Sequence, residues 1–125
     1  MAILDLDTDA ETIASRLSDP TTMLVVCLCA EWCGTCREYR AMFETLARSH
    51  PAACFVWIDV ETHSEFVDEL DVENFPTILI EDGVATRFFG TVLPQPRIVE
   101  RMLEEFSNDG GALGGLKLRK ALAAA

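Results

Sequence analysis

The chain has 125 residues, 50% hydrophobic and 8% aromatic, enough for one domain with a substantial core and too few for two. Ten basic residues against twenty-one acidic ones give a net charge of −11, which suits solubility and argues against nucleic acid or an anionic membrane surface as partner. Met1 to Ile13 lack the basic start and apolar centre of a leader, and no later stretch approaches the roughly 18 apolar residues of a membrane helix, so a cytoplasmic protein is expected.

In chain order, a short strand near Ile3 to Leu6 leads into a helix opened by Thr8 and Glu11 at capping-box spacing. Leu24, Val25, Val26, Cys27, Leu28 and Cys29 form a continuously apolar run, which suits a strand buried on both faces of a largely parallel sheet. After Trp32-Cys33-Gly34-Thr35-Cys36, the spacing of Tyr39, Met42, Phe43, Leu46 and Ala47 predicts a helix from about Gly34 to Ser49. Cys54 to Ile58 reads as the next strand. Thr62 and Glu65 repeat the capping-box spacing ahead of Phe66, Val67 and Leu70, predicting a short helix that leads to a loop at Pro76. Ile78 to Ile80 and Val84 to Phe89 pair as a hairpin around Asp82-Gly83, a strong turn dipeptide. Pro94 and Pro96 introduce a last helix with Ile98, Met102 and Phe106 on one face. Beyond Phe106 come four of the seven glycines, at positions 110, 111, 114 and 115, then a Leu, Lys and Arg cluster and three alanines. Residues 1–106 are expected to form the domain and 107–125 a mobile tail. Docking through Lys117, Arg119 and Lys120, on the acidic body or on a partner, is the alternative.

Cys33 and Cys36 carry the chemistry. Two cysteines separated by two residues close a small disulfide, and Cys33 falls at a helix start, where free amide N–H groups and the macrodipole favour a thiolate. Lowering a thiol pKa from about 8.5 to about 7 takes roughly 2 kcal/mol, the upper end of what a partly buried helix terminus supplies. At neutral pH the larger thiolate fraction, offset by lower intrinsic nucleophilicity, leaves a net gain of only about three-fold. Most of the advantage then comes from a low leaving-group pKa, access, and a second thiol placed to resolve the mixed disulfide.

These residues resemble the active site of the thioredoxin family, a Trp-Cys-Gly-x-Cys run after a buried strand, and the similarity extends from about residue 3 to residue 106. Asp59 after its apolar strand, Phe75-Pro76-Thr77 in the place of the family's cis-proline segment, and Asp82-Gly83 followed by Gly90 add to it. The resemblance implies a thioredoxin-like α/β fold, a central mixed sheet of four to five strands flanked by about four helices. It implies Cys33 as nucleophile and Cys36 as resolving thiol of a redox-active disulfide, supported by Trp32, Gly34, Thr35 and the residue at position 27. Phe75, Pro76 and Gly90 would meet an extended substrate, Phe75 pairing through its backbone. Read from the residues alone, Pro76 is a strand-entry proline where no ladder N–H is needed.

The departures from the family pattern cluster beneath the motif. Cys27 stands where the family carries a buried aspartate, and Phe55 where its lysine partner sits. Removing both avoids charge desolvation and removes a proton carrier, so Cys36 is expected to deprotonate reluctantly and to slow the resolving step. Cys29 replaces a frequent aromatic, Thr35 the commonest proline, and Ala41 a helix-kinking proline, with Thr35 leaving the redox poise open.

Five cysteines cannot all pair within one chain, which fits a reducing compartment better than a secreted disulfide framework. Cys27, Cys29 and Cys54 read as buried core thiols. Cys27 and Cys29 share a strand face, and with Cys33 and Cys36 they offer a metal site as the alternative. His50 and His63 read as solvated surface residues rather than bases for Cys33. Trp32 is expected to shield the site, and Trp57 to fill a sheet face. The function read from all this is a thioredoxin-like protein-disulfide reductase that contributes to cell redox homeostasis. Its substrates are disulfide-bearing proteins, its electrons come from an upstream reductase such as thioredoxin reductase, and it works as a monomer with neither metal nor cofactor of its own. The competing readings are a non-catalytic binding or scaffold module on the same fold, and a disulfide oxidase or isomerase.

Overall fold

The computed structural model describes residues 3–6, 8–30, 34–67, 76–83, 85–91, 96–109 and 118–124; within these the backbone alone is described at 35, 66, 67, 96, 105–109, 120, 121 and 124. Strands β1 (Ile3–Asp5), β2 (Leu24–Cys29), β3 (Cys54–Asp59), β4 (Thr77–Glu81) and β5 (Thr86–Thr91) are interleaved with α1 (Ala10–Leu17), α2 (Gly34–Ser49), α3 (Ser64–Val67) and α4 (Pro96–Asp109), and α5 (Arg119–Ala124) follows. The sheet runs β1-β3-β2-β4-β5, parallel across β1, β3 and β2 and antiparallel from β2 to β4 and β5. The expected mixed α/β architecture is therefore observed, with the sheet at five strands.

The central strand shows why the core divides in two. All six residues of β2 are buried, as its unbroken apolar run requires of a strand covered on both faces. Alternation sends Val25, Cys27 and Cys29 to one side with Phe55, Ile78 and Ile80, where Tyr39, Phe43 and Leu46 of α2 and Val99 and Leu103 of α4 cover them. Leu24, Val26 and Leu28 go to the other side with Val56, Ile58 and Leu79, under Ile13 and Leu17 of α1 and Leu122 of α5. Each such side chain contributes about 1.5–3 kcal/mol on burial. On α4 the buried positions are Val99 and Leu103, with Ile98 and Met102 half-buried beside them, so the face is centred one residue later than the spacing predicted.

Several local expectations are corrected. Asp9, not Thr8, is the N-cap of α1, and its carboxylate accepts from the Asp5 amide at 2.9 Å instead of capping the helix. The second capping box is replaced by a turn at Asp59, whose Oδ1 accepts from the Glu61 and Thr62 amides; α3 then starts at Ser64, and Leu70 lies outside the described residues. In the hairpin, Asp82 N–H donates to the Ala85 carbonyl and Ala85 N–H donates to the Asp82 carboxylate, so Asp82 flanks the turn instead of forming its first central residue. Gly83 is needed there for close approach rather than for a left-handed backbone, because a Cβ on it would meet the Pro20 carbonyl oxygen at 2.5 Å.

The largest correction concerns the C-terminus. The last domain helix extends to Asp109, past the expected boundary at 106, and residues 118–124 are docked rather than mobile. Leu118 and Leu122 are buried against Leu4, Ile13 and Leu17. Glu81, fully buried in β4, accepts from the Leu118 and Arg119 amides (3.1 and 2.8 Å) and from the Thr86 hydroxyl (2.6 Å). Arg119, also buried, donates to the carbonyls of Leu17, Asp19 and Thr22 around the end of α1. A cation at a helix C-terminus and a carboxylate at the start of the next one both complement the backbone dipoles. Lys117 lies outside the described residues. No helix among the described residues is long and apolar enough to cross a membrane.

Candidate functional site

The site forms where β2 ends and α2 begins. β2 runs to Cys29, α2 starts at Gly34, and Cys36 occupies the first turn of that helix, buried against the sheet. Trp32, Cys33 and Phe75 lie outside the described residues, as does the side chain of Thr35. Gly34 is exposed, and a Cβ on it would meet nothing within 4 Å.

Cys36 is bonded through sulfur to Cys29, the two Cα atoms lying 5.8 Å apart. This corrects one expectation, that Cys29 is a free core thiol; Cys33, the expected partner of Cys36, lies outside the described residues. Two of the four cysteines considered as metal ligands are therefore joined to each other and carry no thiolate. The partner was missed because Cys29 reads as one more apolar residue of a buried strand. A usable signal did exist, since alternation puts Cys29 on the face that α2 covers, and a short connection returns Cys36 to the same place.

Beneath the disulfide the surroundings are apolar. Cys27 Sγ is 3.5 Å from Cys29 Sγ. Burial pushes the Cys27 thiol well above the ordinary range, opposed weakly by the Arg40 guanidinium. Arg40 is itself fixed by two hydrogen bonds to the Asp5 carboxylate (3.1 and 3.0 Å) and lies 4.9 Å over the Trp57 ring. Trp57 is half-buried and packs on Phe43, as its sheet-face reading requires. Tyr39 points its hydroxyl into the same layer, fully buried and without a hydrogen-bond partner among the described residues; burial first and the neighbouring Cys27 second raise its pKa. Phe55, opposite Val25, shares this sheet face with its ring edge-on to Phe43 at 5.2 Å, Trp57 lies opposite Cys27, and Asp59 lies opposite Cys29 at the end of β3.

Pro76 is buried just ahead of β4, whose Thr77 pairs with Leu28 near the end of β2 that carries Cys29. Gly90 lies opposite Ile78, which in turn lies opposite Cys27, so Pro76 leads into the strand beside β2 and Gly90 sits one strand farther out, on β5. The two histidines are elsewhere and are half-buried rather than solvated. His50 stacks toward Phe55 at 6.5 Å beyond the far end of α2, and His63 sits 3.8 Å from Glu65. Cys54 is a buried free thiol whose pKa burial raises, as a core position requires.

Residues 6–104 match the family model for thioredoxin. Among curated proteins the chain is similar to the putative thioredoxin H10 of Arabidopsis thaliana (40% identical over 62 residues, 49% of this chain and 40% of that protein). It is also similar to a thioredoxin H-type of Oryza sativa subsp. indica (36% over 70 residues, 55% and 57%) and to the thioredoxin of Chlamydia muridarum (32% over 82 residues, 65% and 74%). The chain spans about half the length of the first of these relatives, between 40% and 57% of the Arabidopsis and rice proteins. Among solved structures its fold is similar to a poplar thioredoxin h (TM-score 0.74, 17% identity, 87% of this chain and 99% of that one). The thioredoxin of Trypanosoma brucei brucei is a second such likeness (TM-score 0.71, 22% identity, 86% and 93%). With the family model covering most of its length and a mixed sheet that delivers a cysteine to the first turn of α2, the chain belongs to the thioredoxin family.

Proposed function

We propose that this protein is a thiol-disulfide oxidoreductase that reduces protein disulfides in the cytoplasm through Cys33 and Cys36. The single observation that carries this reading is a disulfide made by Cys36 at the start of α2, on a thioredoxin-family fold. Cys33 immediately precedes the first helical residue, Gly34, the position in sequence at which free amide N–H groups favour a thiolate. The Cys33 thiolate attacks a substrate disulfide and expels one thiolate. Cys36 then attacks the Cys33 sulfur of the mixed disulfide, the second substrate thiolate leaves, and a Cys33–Cys36 bond remains. Two electrons from an upstream dithiol, such as the active site of a thioredoxin reductase, restore both thiols. Neither metal nor organic cofactor takes part, and the protein acts as a monomer.

Substrate contact falls to Phe75, Pro76 and Gly90, with Trp32 shielding the site and Gly34 and Thr35 shaping the first helical turn. The burial of Pro76 beside the Cys29 end of β2 supports that assignment. The test is reduction of insulin disulfides by purified protein supplied with dithiothreitol. Catalysis above the reagent alone, abolished in Cys33→Ser, is expected; wild-type protein no faster than the reagent would overturn the proposal.

A further inference from the structure

Three sulfurs lie in a row under the start of α2. Cys27 and Cys29 share one face of β2, their sulfurs 3.5 Å apart, and Cys29 is covalently joined to Cys36. All three residues are at most 1% exposed. While bonded to Cys36, Cys29 carries no hydrogen, so the proton in the 3.5 Å contact belongs to Cys27, which donates its S–H to the Cys29 sulfur.

We propose that Cys36 has two alternative partners and that the Cys29–Cys36 bridge is a second, buried oxidised state, in which Cys33 remains a free thiol open to capping by a low-molecular-weight disulfide. This rests on the functional reading of Cys33 and Cys36 given above. The states interconvert without net redox change. The Cys29 thiolate attacks Cys36 Sγ of a Cys33–Cys36 bridge; the Cys29–Cys36 bond forms, the Cys33–Cys36 bond breaks, and the electron pair leaves on Cys33. The proton of Cys29 passes to solvent. In the reverse direction the Cys33 thiolate attacks Cys36 Sγ and expels Cys29, whose charge meets the S–H of Cys27.

The direction follows from where each thiolate would reside. A sulfur just ahead of a helix is a better leaving group than one sealed in the core, because the lower-pKa thiol departs faster and stays ionised. Exchange toward Cys29–Cys36 therefore releases the stabilised thiolate and retires the costly buried one. A protein in this state keeps its nucleophile but lacks the thiol that would resolve what it captures. With glutathione disulfide, the Cys33 thiolate takes one glutathionyl sulfur, the other leaves as glutathione thiolate, and the mixed disulfide persists. Cys27 is a positioning residue in this scheme, holding a hydrogen bond to Cys29 in either state.

Wild-type protein oxidised with diamide and cleaved at Glu31 under acidic, non-reducing conditions separates the two states. A Cys29–Cys36 bond joins the fragments on either side of Glu31, whereas a Cys33–Cys36 bond lies within one fragment. The expected map shows the joined pair, abolished in Cys29→Ala, with one rapidly alkylated thiol per native oxidised chain and one glutathione adduct. In Cys33→Ser, oxidation should still lower the denatured thiol count from four, the chain's five cysteines less one, to two. A wild-type map showing only the Cys33–Cys36 loop, with no native alkylation, would overturn the inference and leave the proposed reductase activity standing. Insulin reduction by Cys33→Ser at the wild-type rate would instead remove the functional reading.

Discussion

The buried carboxylate of Glu81 should hold the C-terminal helix to the body, and removing it has a calculable cost. Glu81→Ala leaves three buried donors without their acceptor: the amides of Leu118 and Arg119 and the hydroxyl of Thr86. At about 1–3 kcal/mol for each unsatisfied buried group, the gross penalty exceeds about 3 kcal/mol. The chain can escape by undocking α5, which gives up the burial of Leu118 and Leu122 at about 1.5–3 kcal/mol each and regains the entropy of about seven ordered residues. The observed loss is thus capped near the docking energy, and about 3 kcal/mol is expected. Glu81→Gln keeps an oxygen for the two amides and an N–H for the hydroxyl, losing only charge assistance, and should cost about 1 kcal/mol. Leu122→Ala should cost about 2–3 kcal/mol alone, held by the same ceiling. Because both routes end in the same undocked helix, Glu81→Ala/Leu122→Ala should cost less than the sum of the single variants. Urea unfolding followed by circular dichroism, with limited proteolysis of the C-terminus, measures all four proteins. A Glu81→Ala protein within 0.5 kcal/mol of wild type, or strictly additive losses, would refute the docking argument.

Stability should fall on the alkaline side. Burial raises the pKa of Cys27 and Cys54, so the unfolded chain releases these protons first, and above about pH 8.5 each thiol removes up to about 1.4 kcal/mol per pH unit. Urea midpoints at pH 7.5 and 9.5 should show the decline, and Cys54→Ala should flatten it. Gly83→Ala forces a methyl group against the Pro20 carbonyl and should cost about 1–3 kcal/mol by thermal melting, with no loss if the loop yields freely. Cys27→Asp puts a carboxylate where Phe55 offers no cation and only Arg40 opposes burial, so its folded pKa rises. Its stability relative to wild type should be best near pH 4 and worsen by about 3 kcal/mol by pH 7, a difference that denaturation at the two pH values reads directly. Stopped-flow reduction of a model disulfide by wild-type protein should show a resolving step slower than capture; equal rates would argue that Cys36 loses its proton without help.

What could be read from the chain divides along physical lines. β2 and α2 were legible because their patterns admit one solution each. Six apolar residues in a row require cover on both faces, and Tyr39, Phe43 and Leu46 repeat at the helical period. The capping boxes failed because neighbouring aspartates set the backbone hydrogen bonds ahead of each helix. Asp9 answers the Asp5 amide, and Asp59 gathers the Glu61 and Thr62 amides before α3 can start. The docked tail was hidden behind its glycines, although Glu81 carried a clue. A carboxylate that continues the run Thr77 to Ile80 into a covered strand requires donors from elsewhere, and the amides at 118 and 119 are those donors.

The site itself was half legible for a deeper reason. A Cys-x-x-Cys spacing identifies chemistry because local geometry alone brings the two sulfurs together, so Cys36 could be singled out without a fold. The bond from Cys36 to Cys29 depends on a strand end meeting the first turn of a helix, and that meeting exists only once β2 is seated between β3 and β4. The substitution of Cys27 for a carboxylate points the same way. Cys27 is packed with Phe55, Tyr39 and Phe43, and burial among these side chains favours its sulfur as a thiol over an anion. A cysteine at position 29 gives Cys36 a partner within that layer that needs no charge once the bond has formed. A protonated thiol at position 27 and a bonded sulfur at position 29 both place neutral sulfur beneath the first turn of α2, where burial disfavours an anion.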